Sequence, residues 1–139
     1  MSPITPEIRA SAEIITGHDV CKEKIKTLLK EFELPSGLMP LEDIEELGRV
    51  KDTGLMWVKQ KKSILHKFEK AGKTVQYGPE ITGYVEKRKI KKMTGSKSKE
   101  LFLWIGVTEI VVDGPPANKI TIKTTTGISQ TFPKEYFDA

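Results

Sequence analysis

The sequence predicts a mainly β fold with N-terminal α structure, namely an antiparallel β-barrel or sandwich of about 8 strands covered by an amphipathic N-terminal helix. Two observations support this: apolar residues recur at helical spacing up to Phe32 and alternate with a period of two after Pro40, and turn signals then recur roughly every 8 to 12 residues. A chain of 139 residues is expected to form one domain, 1–139. We divide it into a helical segment (5–33), a hinge (34–40) and an antiparallel β region (41–139).

Two helices are predicted before the hinge. Thr5 followed by Pro6 is a helix-start signature, and this first helix is expected to end near Gly17. The next segment, "HDVCKEKIKTLLKEFE", has an apolar stripe of Cys21, Ile25, Leu28, Leu29 and Phe32 with charged residues opposite. This helix must therefore pack against an apolar surface.

The hinge is the stretch "LPSGLMP", Leu34 to Pro40. Its first proline and its glycine end the helix, and Pro40 keeps the chain extended. We expect Leu34, Leu38 and Met39 to seal the end of the core.

Short strands are predicted throughout the β region. "IEELGRV", the turn "KDTG" and "LMWVKQKK" predict a hairpin, and "SILHKFEK", "TVQY", "EITGYVE", "KIKKM", "ITIKT" and "ISQTF" follow as strands. Breaks are expected at Gly72, at Gly78-Pro79 and at a charged turn, Lys87-Arg88. The segment "ELFLWIGVTEIVV" has apolar residues on both faces, which predicts a strand covered on both sides.

Charge is distributed unevenly along the chain. The net charge is +4, yet residues 51–99 alone carry 14 basic and 4 acidic side chains. Seven of these cations form a basic segment: Lys87, Arg88, Lys89, Lys91, Lys92, Lys97 and Lys99. An acidic protein or an anionic membrane surface is a possible partner, and a solubilising face is the simpler alternative. The segment contains no aromatic residue to stack on bases, which disfavours nucleic acid.

Location is inferred from what the sequence lacks. The N-terminus has no basic start followed by an apolar block, and the longest apolar run, "LFLWIGV", is too short for a membrane-spanning helix. One cysteine excludes an internal disulfide. We therefore expect a cytoplasmic protein that is not transmembrane.

No catalytic motif is recognisable. The serine hydrolase elbow is absent, and the Ser-x-x-Lys match at Ser96 to Lys99 is expected to be a solvated loop. No metal-ligand spacing and no cofactor motif occurs, so we expect neither. His66, with Tyr77 or Tyr84, is a weak candidate for acid–base catalysis; a neutral core histidine is the alternative. We expect Cys21 to pack in the core rather than react.

Several aromatic side chains are candidate ligand contacts. If the β region encloses a pocket, we expect the ligand-binding residues to be Trp57, His66, Phe68, Tyr77 and Trp104. The alternative is that the tryptophans are ordinary core residues.

Six blocks in order, "LPSGLMP", "GLMWVKQ", "EITGYVE", "KIKKMTG", "KELFLWI" and "ITIKTTTGISQTFP", resemble the plant-specific family called domain of unknown function 538. The resemblance covers about Thr16 to Phe137. It implies a land-plant protein with a barrel-like antiparallel fold and an N-terminal helix, associated with stress and development. It also implies a likeness to the lipid-binding bactericidal/permeability-increasing fold, and chlorophyll binding or chlorophyll ester hydrolysis.

Three functions follow as hypotheses. The first is a non-catalytic binding module for a lipid-like, pigment-like or aromatic small molecule. The second is an ester hydrolase on a chlorophyll-like substrate, or a small acid–base enzyme using His66. The third is an interaction protein that binds acidic partners or membrane headgroups through the basic segment.

Overall fold

The N-terminal segment contains one short helix and one short strand. The computed structural model describes residues 3–114 and 116–138. Positions 1, 2, 115 and 139 of the predicted domain lie outside the described residues. Helix α1 (Pro6–Ser11) begins as predicted, because the Ile8 amide donates to Thr5 Oγ1 at 3.2 Å. Its predicted extension to Gly17 is wrong. Glu13–Thr16 forms strand β1, paired with the first long strand, where β-branched residues are favourable.

Helix α2 (His18–Glu31) is the cover of the sheet. Its predicted apolar stripe is confirmed: Cys21, Ile25, Leu28 and Leu29 are buried. The Phe32 amide closes the helix by donating to Leu28 O at 2.9 Å. The helix therefore lies on the sheet with its lysines and glutamates in water.

The hinge connects α2 to the sheet and contacts the end of the chain. Leu34 and Leu38 are buried, and Met39 is half-buried. The Gly37 amide donates to Phe137 O at 2.9 Å. This bond holds the C-terminal 3₁₀ helix (Lys134–Phe137) against the hinge.

The remaining elements are the strands β2 (Ile44–Val50), β3 (Leu55–Gln60), β4 (Ile64–Phe68), β5 (Lys73–Glu86), β6 (Lys89–Glu100), β7 (Leu103–Asp113), β8 (Lys119–Thr124) and β9 (Ser129–Pro133). All pairs are antiparallel in one sheet, in the order β1-β2-β3-β5-β6-β7-β8-β9. Strand β4 pairs with the first half of β5, and β3 pairs with the second half. The mainly β prediction with an N-terminal helix is confirmed, although the sheet is not closed into a barrel.

Strand β5 differs from the prediction at Gly78-Pro79. The two predicted strands are one, because pairing continues past a register shift with β6 instead of ending there. Gly95 makes this irregular pairing possible: it has φ of 87°, and an added Cβ would lie 2.0 Å from Glu80 O. Together with β1, the sheet has nine strands in the described part of the chain.

The start of β7 is the clearest correction. Leu101, Phe102, Leu103 and Trp104 are 90%, 95%, 67% and 39% exposed, so the prediction that this segment is covered on both sides is wrong. From Val107 onward the strand pairs with β8, and Val107, Ile110 and Val112 are buried. Within the described residues, no helix is both long and apolar enough to cross a membrane.

Candidate functional site

An apolar cavity lies between α2 and the sheet. Its volume is about 70 Å³, and its wall includes Ile25 and Leu29 of α2, Met56 of β3, and Ile90 and Met93 of β6. A water molecule needs only about 10–15 Å³ but two or more polar partners. The cavity has room for several water molecules yet lacks the groups to bind them, so its chemistry suits an apolar occupant.

The polar side chain in the cavity wall is already satisfied. Thr82 Oγ1 is hydrogen-bonded to Thr94 Oγ1 at 2.6 Å. No other hydroxyl, amide or charged side chain belongs to the described lining. Recognition inside the cavity therefore depends on apolar contact and shape.

The rim of the cavity carries a cation. The Arg49 guanidinium carbon lies 5.7 Å from the centre of the Phe32 ring, which itself lines the cavity. Arg49 therefore lies beside Phe32 of the cavity wall, and a guanidinium in this position can bind an anionic group.

Trp57 is part of the cavity wall and 1% exposed. Its Nε1 donates to Glu46 Oε2 at 2.8 Å, so the indole has no donor left for a ligand. An added Cβ at Gly48 would lie 2.1 Å from the indole ring, and only glycine permits this close approach. Trp57 therefore contributes an apolar surface to the cavity wall and no hydrogen-bond donor.

Phe68 of β4 and Tyr77 of β5 line a different cavity, of about 30 Å³, whose wall also includes residues of the hinge and of β6 to β9. The buried Tyr77 hydroxyl donates to Leu38 O at 2.9 Å, and burial raises the pKa of this phenol. Both effects keep the proton on Tyr77 near neutral pH. Tyr77 is therefore poorly suited to the predicted acid–base role.

The remaining aromatic candidates are dispersed. His66 is half-buried in a surface depression, where its ring centre is 4.6 Å from that of Phe68 in an edge contact. Tyr84 is seven residues beyond Tyr77 on β5, roughly 23 Å along the strand, and Lys92 lies over its ring. Trp104 is exposed, with Lys99 Nζ at 5.9 Å from its ring centre. The predicted residues do not surround one pocket or form one catalytic group.

The basic segment is divided between two ends of β6. At the β5–β6 turn, Lys87 and Arg88 both pair with Glu33 at 3.1 Å, and these hydrogen bonds lower the pKa of the Glu33 carboxyl. Nearby, Lys91 pairs with Glu86 at 3.5 Å. Lys89 is the first residue of β6 and Lys92 the fourth, whereas Lys97 and Lys99 are exposed at the opposite end of the strand. The seven cations therefore do not form one anion-binding surface.

The predictions for Ser96 and Cys21 have different outcomes. Ser96 of the Ser-x-x-Lys match is buried in β6, so the predicted solvated loop is wrong. Cys21 is fully buried, its Sγ donates to Ile15 O at 3.3 Å, and burial raises the pKa of the thiol. A protonated, inaccessible thiol packs rather than reacts.

Arg49 was not predicted as a site residue, although its position in the β2 pattern indicates a special role. It alternates with the core residue Leu47 on β2, so an arginine stands in a position whose period assigns it to the core side. The cavity itself had no such signal, because the same apolar stripe of α2 fits a filled and an unfilled interface equally well.

Comparison with known proteins gives one result. Residues 25–138 match the model of the family described as "Protein of unknown function, DUF538". No curated protein and no solved structure matches the chain significantly. Because the match covers the second half of α2 and every strand from β2 to β9, the chain belongs to this family of unknown function.

Proposed function

We propose that this chain is a non-catalytic binding module for a lipid-like small molecule with an anionic head. The carrying observation is the cavity of about 70 Å³ beneath α2, whose described lining offers no unsatisfied polar group. An apolar chain fills such a space without losing hydrogen bonds, and it gains the contacts that the lining now lacks.

The size of the cavity favours one class of ligand over another. Pockets for drug-sized ligands are typically about 300–1,000 Å³. A cavity of about 70 Å³ accommodates part of one aliphatic chain and is too small for a pigment macrocycle. The proposal therefore favours a single-chain amphiphile over a chlorophyll-like molecule.

Arg49 accounts for the selectivity toward an anionic head in this proposal. Its guanidinium on the Phe32 ring is pre-oriented, and a carboxylate or phosphate head there would form charge-assisted hydrogen bonds. The proposal includes a cytoplasmic location, supported by the free thiol of Cys21. A plant origin and a part in stress responses are included on the strength of the family resemblance.

Calorimetric titration with decanoate, and with decanol as its uncharged counterpart, tests the proposal. Arg49→Gln should weaken decanoate binding roughly tenfold and leave decanol binding unchanged, because only the acid uses the cation. Met56→Trp should weaken both by filling the cavity mouth. Lys62→Gln, which removes a cation from an exposed turn, is the matched control.

Circular dichroism should show that each variant is folded. If the parent protein binds neither compound saturably, or if both variants bind like the parent, the cavity is not a ligand site.

A further inference from the structure

The turn between β6 and β7 exposes four consecutive apolar side chains, Leu101–Trp104, which we call the hairpin tip. Elsewhere in the described chain the apolar residues exposed by a third or more stand singly, such as Val20, Leu65 and Ile128. Single exposed apolar residues are normal, whereas a contiguous exposed group marks an interaction site. The hairpin tip is thus a surface whose counterpart lies outside this chain.

The backbone of the hairpin tip supports this conclusion independently. Glu100 pairs with Leu103, so Leu101 and Phe102 form a two-residue turn. Two-residue hairpin turns need positive φ at the first or at both central positions; here the first, Leu101, has φ of 56° and Phe102 does not have positive φ, which favours glycine at position 101. A leucine is strained there and, at 90% exposure, gains no burial in return. Strain without a folding benefit points to a role in function.

The hairpin tip extends beyond the paired part of β7 and β8. The register of this pair begins at Val107, and the Thr125 amide donates to Gly106 O at 2.9 Å, so residues 103–105 have no β8 residue opposite them. The β4–β5 turn lies at the same end of the sheet, because Phe68 pairs with Lys73 and Val75 with Ser98. The hairpin tip and the β4–β5 turn therefore lie together at this end of the molecule.

Cations surround the hairpin tip. Within four residues of the two turns at this end lie Lys67, Lys70, Lys73, Lys97 and Lys99, against only Glu69 and Glu100. The two glutamates are each paired with a lysine, Lys67 and Lys73 respectively. Lys99 lies over the Trp104 ring, 5.9 Å from its centre. This end of the molecule therefore has a positive field around an apolar projection.

We propose that the hairpin tip inserts into the surface of an anionic phospholipid membrane. Leu101 and Phe102 enter the boundary between headgroups and acyl chains. Trp104 lies at headgroup level, where tryptophan is favoured, and Lys97 and Lys99 contact the acidic phosphates. A convex tip flanked by cations fits a deformable anionic layer, whereas a protein partner would need a matching groove. The site is separate from the cavity beneath α2.

Flotation with phospholipid vesicles tests the proposal on the full chain. We expect the protein to float with vesicles containing one third phosphatidylserine and to bind pure phosphatidylcholine at least tenfold more weakly. Binding to the acidic vesicles should fall steeply with added salt. The Trp104 emission should shift to shorter wavelength on binding, while the buried Trp57 contributes a constant background.

The double variant Leu101→Gly with Phe102→Ser separates folding from binding. It installs the residues that the turn prefers, so the melting temperature should not fall, while vesicle binding should drop at least tenfold because two apolar side chains are lost. Val20→Ser, which removes an exposed apolar group from α2, should bind like the parent protein. Met56→Trp should also bind normally.

Three results would overturn the proposal. The first is a parent protein that binds acidic and neutral vesicles alike. The second is a double variant that binds like the parent. The third is a dimer in sedimentation that the double variant dissolves, with no vesicle binding, since this would assign the hairpin tip to a second copy of the chain.

Discussion

Glu46 connects helix α1 to Trp57, the more buried of the two tryptophans. Its Oε2 accepts from Arg9 Nη1 at 2.7 Å and from Trp57 Nε1 at 2.8 Å, and its Oε1 accepts from Arg9 Nη2 at 3.1 Å. These bonds, the Arg9 pair first, lower the pKa of the Glu46 carboxyl to about 2. The charged form is therefore the one that stabilises the fold.

Acid should remove this contribution in a defined range. Because the folded pKa is below the ordinary value of 4.5, the stabilisation is complete above that pH and is lost as pH falls toward 2. At neutral pH, Glu46→Gln should lower the free energy of unfolding by about 2 kcal/mol in urea titrations. The deficit should shrink near pH 3.

The exposed neighbour Glu45 provides the control, since Glu45→Gln should change the free energy of unfolding by less than about 0.5 kcal/mol. A deficit for Glu46→Gln that is equal at neutral and acid pH would contradict the proposed ionic contribution.

Individual elements show which features the sequence could predict. Helix α2 has four turns of regular periodicity, so its buried face was readable in advance. Strand β1 was missed because four residues are too few to show a period, and pairing with β2 decides their conformation. The hairpin tip was misjudged because an apolar run looks the same whether it is covered or projects. The cavity between α2 and the sheet depends on packing between elements that are distant in the chain, and no local sequence pattern indicates such packing.

The C-terminal 3₁₀ helix contributes a single large anchor. Phe137 is 1% exposed, and its ring centre lies 4.7 Å from that of Phe68 and 5.8 Å from that of Phe132. Phe137→Ala should lower the free energy of unfolding by about 3 kcal/mol, because it leaves a cavity among these rings. Phe102→Ala, the same substitution at a 95% exposed position, should cost less than about 0.5 kcal/mol. Equal losses in denaturant titrations would contradict this assignment.

At the scale of the whole molecule, stability should decrease from the middle of the sheet to its edges. Strand β5 has hydrogen-bonded neighbours on both sides, whereas β1 and β9 are the two ends of the strand order. Hydrogen exchange should therefore be slowest for β5 amides and at least tenfold faster for β1 and β9. Two-dimensional NMR in deuterated water measures these rates residue by residue. Uniform protection across the sheet would contradict the expectation.

Strand β5 also determines how the protein can fold. Because β3 and β4 share one edge of it and β6 occupies the other, neither half of the sheet is complete without this strand. We therefore expect the two halves to fold together, through pairing between residues as distant in the chain as Leu55 and Tyr84. Accordingly, we expect a folding time in the millisecond-to-second range of β-rich domains. The benefit is a single cooperative transition in which no half-folded sheet persists with an unpaired edge.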